Sequence, residues 1–89
     1  MKRYCVVFVG RVQGVGFRYT LADKANEYNL KGNVRNLYNG NVEAHLEGDE
    51  KRIIQLINYF VYNPGFIRID NYSMFEEELQ YEDSFKIIY

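Results

Sequence analysis

An apolar run that leads into a glycine-rich turn constrains the fold of this chain most strongly. Residues 3–9 alternate two side-chain sets, both mostly apolar: Tyr4, Val6 and Phe8 against Cys5, Val7 and Val9. This pattern predicts a central strand that is buried on both faces. Residues 10–16 hold three glycines, and apolar residues then recur at positions 17, 21, 25 and 28, the spacing of one helix face. The chain is therefore expected to begin as strand, tight turn and helix.

A β-hairpin is predicted after this helix. Asn29 lies where the end of a helix favours a left-handed residue. Residues 31–37 form a predicted strand, and Asn39-Gly40 is the dipeptide favoured in two-residue hairpin turns. Residues 42–47 then alternate apolar and polar side chains, which is typical of a strand with one wet face.

A second amphipathic helix is predicted over residues 49–62. Asp49 is a suitable N-cap for it, and its buried stripe consists of Ile53, Leu56, Ile57 and Phe60. The sequence "NPG" at 63–65 is typical of a connector.

The last part of the chain has strand character interrupted by an acidic tract. Residues 66–75 and 85–89 are predicted strands, whereas "EEELQYED" is expected to form a solvated loop or a sheet edge. The order strand, helix, strand, strand, helix, strand, with a short strand appended, indicates an α+β, ferredoxin-like βαββαβ fold. Such a fold has an antiparallel sheet with two helices on one face. We expect a single domain over residues 1–89.

Composition and charge limit the classes of protein to consider. The 89 residues, 47% of them apolar, suffice for one small core. The single cysteine cannot form an internal disulfide, and no apolar run is long enough for a signal peptide or a membrane span. A cytoplasmic protein without a membrane partner is expected. Residues 1–40 carry seven Lys/Arg and two Asp/Glu, and residues 41–89 carry four and ten. This distribution favours a small anionic ligand near the glycine turn over a nucleic acid.

The glycine-rich turn fits neither of two standard phosphate-binding patterns. A dinucleotide fingerprint would need glycine at position 19, which is Tyr19, and no Gly-Lys-Ser/Thr closes a P-loop. The context still favours an anion, because backbone N–H groups can converge in such a turn and at a helix N-terminus. Arg18 falls in the first helical turn, where the macrodipole disfavours a cation unless an anion is bound. From these residues alone, phosphate binding and a plain turn with a solvent-facing arginine are equal alternatives.

Two motifs resemble those of the acylphosphatase family. "VGRVQGVGFR" is similar to the first family signature, and residues 32–48, "GNVRNLYNGNVEAHLEG", resemble the second. The likeness extends through the terminal "FKIIY". It implies an enzyme that hydrolyses the carboxyl–phosphate bond of acyl phosphates to a carboxylate and inorganic phosphate. This chain has Asn33 where the family usually has an aromatic residue, a change that we expect to affect the sheet more than activity.

The resemblance also implies which residues act and which partners take part. It matches the family's catalytic arginine to Arg18 and its catalytic asparagine to Asn36. It matches the backbone that holds the phosphate to the loop residues Gln13, Gly14, Val15, Gly16 and Phe17. It implies no metal ligands and no organic cofactor. We expect a monomer whose partner is a small-molecule acyl phosphate.

These residue types suit the chemistry of acyl phosphate hydrolysis. A carboxylate leaves readily at neutral pH, so the enzyme has to hold the phosphoryl group, spread its charge and aim a water in line. Arg18 and the loop amides can do the first two. The Asn36 carboxamide can accept from and donate to a water, so it can position that water without being a strong base. The phosphate itself is the hypothetical acceptor of the proton from the water.

The other candidate residues are expected to have structural roles. His45, the single histidine, falls on the polar face of its strand with no partner cluster in the sequence. Cys5 is expected to be a small buried residue rather than a nucleophile. A further set is expected to be solvated or to bond its own backbone, without the spacing of a metal site: Arg11, Thr20, Arg35, Glu76, Glu77 and Glu78.

Two other functions stay open from the sequence. A non-catalytic phosphate- or metabolite-binding module on the same fold would keep the loop and Arg18 but would not need Asn36. An RNA-binding ferredoxin-like domain would need exposed aromatic residues and a basic face, and the acidic second half argues against it. Met1 and the full set of elements favour a free-standing protein over a domain of a larger enzyme.

Overall fold

The computed structural model describes residues 1–62 and 65–89. These residues form β1 (Lys2–Arg11), α1 (Phe17–Glu27), β2 (Lys31–Asn36), β3 (Val42–Gly48), α2 (Glu50–Tyr62), β4 (Arg68–Glu77) and β5 (Phe85–Ile88). The strands make one sheet in the order β4-β1-β3-β2-β5. Its first three pairings are antiparallel, and β5 adds to β2 in parallel. The predicted ferredoxin-like βαββαβ fold with a short extra C-terminal strand is confirmed. The sheet is mixed rather than wholly antiparallel, because the added strand β5 runs parallel to β2.

The core lies between the two helices and one face of the sheet. The predicted stripe of α2 is buried there, together with Val6 and Phe8 of β1 and Val34 of β2. The ring of Phe17 packs edge-to-face on Phe8, with centroids 5.2 Å apart, and on Phe60, with centroids 5.0 Å apart. Because Phe17 is the first residue of α1, these contacts fix where the helix begins relative to the sheet.

The prediction that β1 is buried on both faces was wrong. Its helix-facing side chains Val6 and Phe8 are fully buried, but Val9 on the other face is 38% exposed and Cys5 is half-buried. The physical reason is that both helices pack on one side of the sheet. The other side, which we call the open face, presents Arg3, Cys5, Val7 and Val9 of β1 beside their partners on β3 and β4.

The predicted helix signals are confirmed, and the hairpin turn is longer than predicted. Asn29 is left-handed with φ 58°, and the Asp49 carboxylate accepts the Lys51 amide at 2.8 Å as an N-cap. In the hairpin, the Gly40 amide donates to the Leu37 carbonyl at 3.2 Å, and φ at Gly40 is 93°. The loop therefore has three residues, 38–40, because Gly40 takes the left-handed position after the turn.

The acidic tract is partly strand. β4 begins two residues later than predicted and runs to Glu77, which lies opposite Arg3 at the edge of the sheet. The predicted connector "NPG" falls largely on residues 63 and 64, which lie outside the described residues. In the described part of the chain, no helix is long and apolar enough to cross a membrane.

Candidate active site

The loop between β1 and α1 turns through two left-handed glycines. Gly14 has φ 73° and Gly16 has φ 76°, a region that side chains with a Cβ enter with strain. A Cβ added at either position would meet no atom within 4 Å. The conformation of the backbone therefore requires these glycines, while the space in front of them is open. Left-handed residues alternating with Val15 and Phe17 give the geometry in which successive amides can converge on an anion.

The N-terminus of α1 continues this loop with amides that no capping side chain satisfies. Gly16 is the N-cap and has no side chain to bond the first amides, and no acidic residue lies in the first turn. The Thr20 hydroxyl donates to the Gly16 carbonyl at 3.0 Å, so the expected bond of Thr20 to its own backbone is confirmed. The amides and the positive end of the helix dipole are therefore available to an anionic ligand.

Arg18 stands at this helix start beside the C-terminus. Its guanidinium carbon lies 5.0 Å from the ring centroid of Tyr89, a cation–π contact. The Tyr89 hydroxyl is 2.6 Å from that of Tyr19, which holds the ring in place. Within residues 1–62 and 65–89, Arg18 forms no salt bridge. No local sequence pattern predicted the contact between Tyr89 and Arg18, because this contact depends on β5 pairing with β2.

Gln13 connects the loop to the hairpin that follows Asn36. Its side-chain amide donates to the Leu37 carbonyl at 2.7 Å and to the Asn41 carbonyl at 2.8 Å. Asn36 is the last residue of β2 and is exposed, on the same strand face as the buried Val34. Gln13 and Asn36 line one open depression together with Arg35, Leu37 and Tyr38. The structure thus brings the glycine loop and the end of β2 to one place.

Arg11 lies apart from this depression. Its side chain is exposed, and it pairs in register with Arg68 on β4. It lines a different depression, together with Phe66 and Ile67. This placement agrees with the expectation that Arg11 is solvated.

The prediction that His45 has no partner cluster was wrong. Its Nδ1 lies 2.7 Å from a Glu77 carboxylate oxygen and its Nε2 lies 3.0 Å from a Glu43 oxygen, while Cys5 is its cross-strand neighbour. The same Glu43 oxygen accepts from Arg35 at 3.1 Å, so Arg35 is paired rather than simply solvated. These contacts join residues far apart in sequence, which only the register of the sheet brings together.

Cys5 is half-buried on the open face rather than enclosed in the core. Burial, with the nearby carboxylates of Glu43 and Glu77, raises the pKa of the Cys5 thiol to about 11. The thiol is therefore protonated at neutral pH. Its chemistry agrees with the expectation that Cys5 is not a nucleophile.

Glu47 is a buried carboxylate that the sequence pattern assigned to a wet strand face. It accepts backbone hydrogen bonds from Gln80 at 2.6 Å, Tyr81 at 3.2 Å and Glu82 at 2.8 Å, and Arg3 lies 3.7 Å away. Burial alone would raise its pKa, but the three amide donors and Arg3 outweigh burial and hold the pKa of Glu47 below its ordinary value. The loop after β4 is thereby anchored to the middle of the sheet.

Comparisons with known proteins identify the family of this chain. The acylphosphatase family model matches residues 4–87. An acylphosphatase of Methanothrix thermoacetophila is 41% identical over 80 residues, which cover 90% of this chain and 89% of that protein. The crystal structure of an acylphosphatase from Bacillus subtilis superposes with a TM-score of 0.93 at 33% identity and covers all of both chains. The HypF structure from T. kodakarensis matches all of this chain with 12% of its own length, at 34% identity and a TM-score of 0.84.

This chain belongs to the acylphosphatase family, which consists of enzymes that hydrolyse acyl phosphates. The resemblance of the two motifs is therefore confirmed.

Proposed function

We propose that this protein hydrolyses the carboxyl–phosphate bond of a small acyl phosphate, with Arg18 and Asn36 as catalytic residues. The loop amides of Gln13 to Phe17 and the Arg18 guanidinium hold the phosphoryl group. The observation that carries the proposal is the pair of bonds from Gln13 to the Leu37 and Asn41 carbonyls, because they join the open glycine loop to the strand that ends in Asn36.

The reaction follows from what each group can supply. The oxygen of a water held by the Asn36 carboxamide attacks phosphorus opposite the carboxyl oxygen. The new O–P bond forms as the bond between phosphorus and the carboxyl oxygen breaks, and that electron pair leaves on the carboxylate. The proton of the water passes to a phosphoryl oxygen, so the products are a carboxylate and inorganic phosphate. The loop amides and Arg18 stabilise the charge that spreads over the phosphoryl oxygens.

A non-catalytic module that binds a phosphate or a metabolite is the second candidate. It would use the same open helix N-terminus and the same left-handed glycines. It would have no use for an exposed amide side chain at position 36. Action as a monomer in the cytoplasm, without nucleic acid or membrane partners, stays a prediction.

A turnover assay with benzoyl phosphate tests the proposal. We expect hydrolysis by the wild type, and a loss of about 100- to 1,000-fold in kcat for Arg18→Ala and for Asn36→Ala, because each removes a group that stabilises the transition state or aims the water. Arg11→Ala and Asn33→Ala are matched controls. Arg11 lines another depression, and the Asn33 side chain lies on the opposite strand face from Asn36.

The outcomes separate the two candidate functions. Full activity in Asn36→Ala would remove the proposed role of that side chain. A folded wild type that binds phosphate but turns over no acyl phosphate would favour the binding module. Equal losses in Arg11→Ala and Arg18→Ala would show that general positive charge, rather than a placed guanidinium, is what the reaction needs.

A further inference from the structure

The sheet register gathers three metal-ligand side chains on the open face. Cys5 of β1 lies directly opposite His45 of β3, and Glu43 is two residues from His45 on the same strand face. The Cys5 sulfur, a His45 ring nitrogen and a Glu43 carboxylate oxygen all lie within 4.8 Å of one another. All three side chains are half-buried, so they are held by their neighbours and are reachable by an ion from solvent.

The distances between the donor atoms suit a metal ion with tetrahedral coordination. Zinc bonds of about 2.3 Å to sulfur and about 2.0–2.2 Å to nitrogen and oxygen place its ligand atoms about 3.3–3.6 Å from one another. His45 Nε2 and Glu43 Oε1 are 3.0 Å apart, and the thiol completes a triangle within reach of the same centre. Small side-chain rotations would bring all three donors onto one ion and leave a fourth position for water.

A second carboxylate orients the histidine. His45 Nδ1 is 2.7 Å from Glu77 Oε1, so one ring nitrogen is already held by an acid while the other lies 3.0 Å from Glu43 Oε1. A carboxylate on the far nitrogen is the usual partner of a zinc-bound histidine, because it fixes the ring and raises its basicity as a ligand. The Arg35 side chain that balances Glu43 is 51% exposed, so it can give up this carboxylate at little cost.

We propose that the open face binds one Zn²⁺ through Cys5 Sγ, His45 Nε2 and the Glu43 carboxylate. Thiolate and imidazole donors favour zinc over magnesium and calcium, which take oxygen ligands. On binding, the Cys5 thiol becomes a thiolate, and its proton and the hydrogen that His45 Nε2 donates to Glu43 pass to the buffer. The ion pair between Glu43 and Arg35 is exchanged for a bond to the metal. None of the three ligands belongs to the glycine loop or to the end of β2. The zinc site is linked to the candidate active site through Arg35, which pairs with Glu43 and lines the depression beside Asn36.

Cobalt(II) titration of the untagged protein tests the site without reference to activity. We expect one Co²⁺ per chain, a thiolate-to-cobalt charge-transfer band in the near ultraviolet, and loss of the band when Zn²⁺ is added. Cys5→Ser should abolish the band, since serine is nearly the same size but gives no thiolate. His45→Gln should weaken zinc binding at least tenfold, measured by competition with a coloured chelator.

A carboxylate outside the triad is the matched control. Glu76→Gln removes an acid that pairs with Lys2 at the surface, and it should bind both metals as the wild type does. Far-ultraviolet circular dichroism checks that each variant is folded. If His45→Gln unfolds, the cobalt band of Cys5→Ser alone tests the proposed site. Binding without the near-ultraviolet band, equal binding by wild type and Cys5→Ser, or no binding to the folded wild type would each overturn the proposal.

Discussion

Replacing Glu47 by glutamine should destabilise this protein more than the same substitution at an exposed glutamate. The Glu47 side chain is completely buried, and its two carboxylate oxygens accept from the amides of Gln80, Tyr81 and Glu82. Tyr81, the middle residue of these three donors, has a left-handed backbone with φ 55°. Three successive amides therefore converge on one anion, as in a backbone anion site, and the anion is part of the chain itself.

The cost follows from these contacts. A hydrogen bond to a charged group contributes about 1.5–3 kcal/mol, and removing one partner of a buried charge pair costs about 3–5 kcal/mol. Glutamine keeps one acceptor oxygen, but its NH₂ group would face at least one amide donor, and Arg3 would lose a buried counter-charge. We expect Glu47→Gln to lower the free energy of unfolding by about 3–5 kcal/mol, a large part of the 5–15 kcal/mol typical of a domain.

The pH dependence provides a second signature. The pKa of Glu47 is lowered in the folded state from its ordinary value of 4.5. Its contribution to stability is therefore fully present above the pKa of the unfolded chain and is lost as pH falls through the folded pKa. The stability difference between the wild type and Glu47→Gln should be large near neutral pH and should shrink as pH falls below 4.5.

Urea unfolding followed by circular dichroism measures both effects, near neutral pH and again in acid. Glu76→Gln is the control, because Glu76 pairs with Lys2 and its side chain is 54% exposed. Its removal should change stability by less than about 1 kcal/mol. The reasoning would be refuted by a Glu47→Gln variant as stable as this control at neutral pH, or by a difference that does not change with pH.

Three further predictions concern the loop and the sheet. Gln13→Ala removes the bonds to Leu37 and Asn41, and it should lower kcat for benzoyl phosphate by about 10- to 100-fold while leaving the far-ultraviolet spectrum unchanged; wild-type kcat would contradict this. Gly32→Ala should cost more than about 2 kcal/mol in urea unfolding, because φ is 132° and a Cβ would collide with the His45 carbonyl; an unchanged midpoint would contradict it. Inorganic phosphate at 100 times its Kd should add about 2.7 kcal/mol and raise Tm, and a phosphate-independent melt would count against the loop as an anion site.

Local patterns in the sequence predicted the elements well because each depends on neighbouring residues. The helical stripe of α2, the Asp49 cap and the left-handed Asn29 are set by spacing of one to four residues, and all are confirmed. The resemblance to acylphosphatases supplied the site residues, which composition and spacing alone left undecided. Their roles stay predictions until the variants are measured.

Features that depend on how strands pair could not be predicted in the same way. An apolar run such as β1 does not reveal that both helices pack on one side and leave Cys5 and Val9 on the other. The contacts of His45 and Glu47 span more than thirty residues, since Glu77 and the amides of 80–82 come from beyond α2. Whether a polar residue on a strand is exposed or buried depends on whether a segment further along the chain packs over it.

The bonds from Gln13 have a consequence for the hairpin turn at 38–40. Both acceptors, Leu37 and Asn41, flank this turn, so its length sets how the loop and the end of β2 are aligned before any ligand arrives. Under the proposed function, binding energy is then not needed to bring the phosphate cradle and the water-holding amide together. Tyr38 is fully exposed and makes no contribution to the core. Lengthening the turn at Tyr38 would nevertheless change turnover, because it would shift the loop relative to the end of β2 without altering any reacting group.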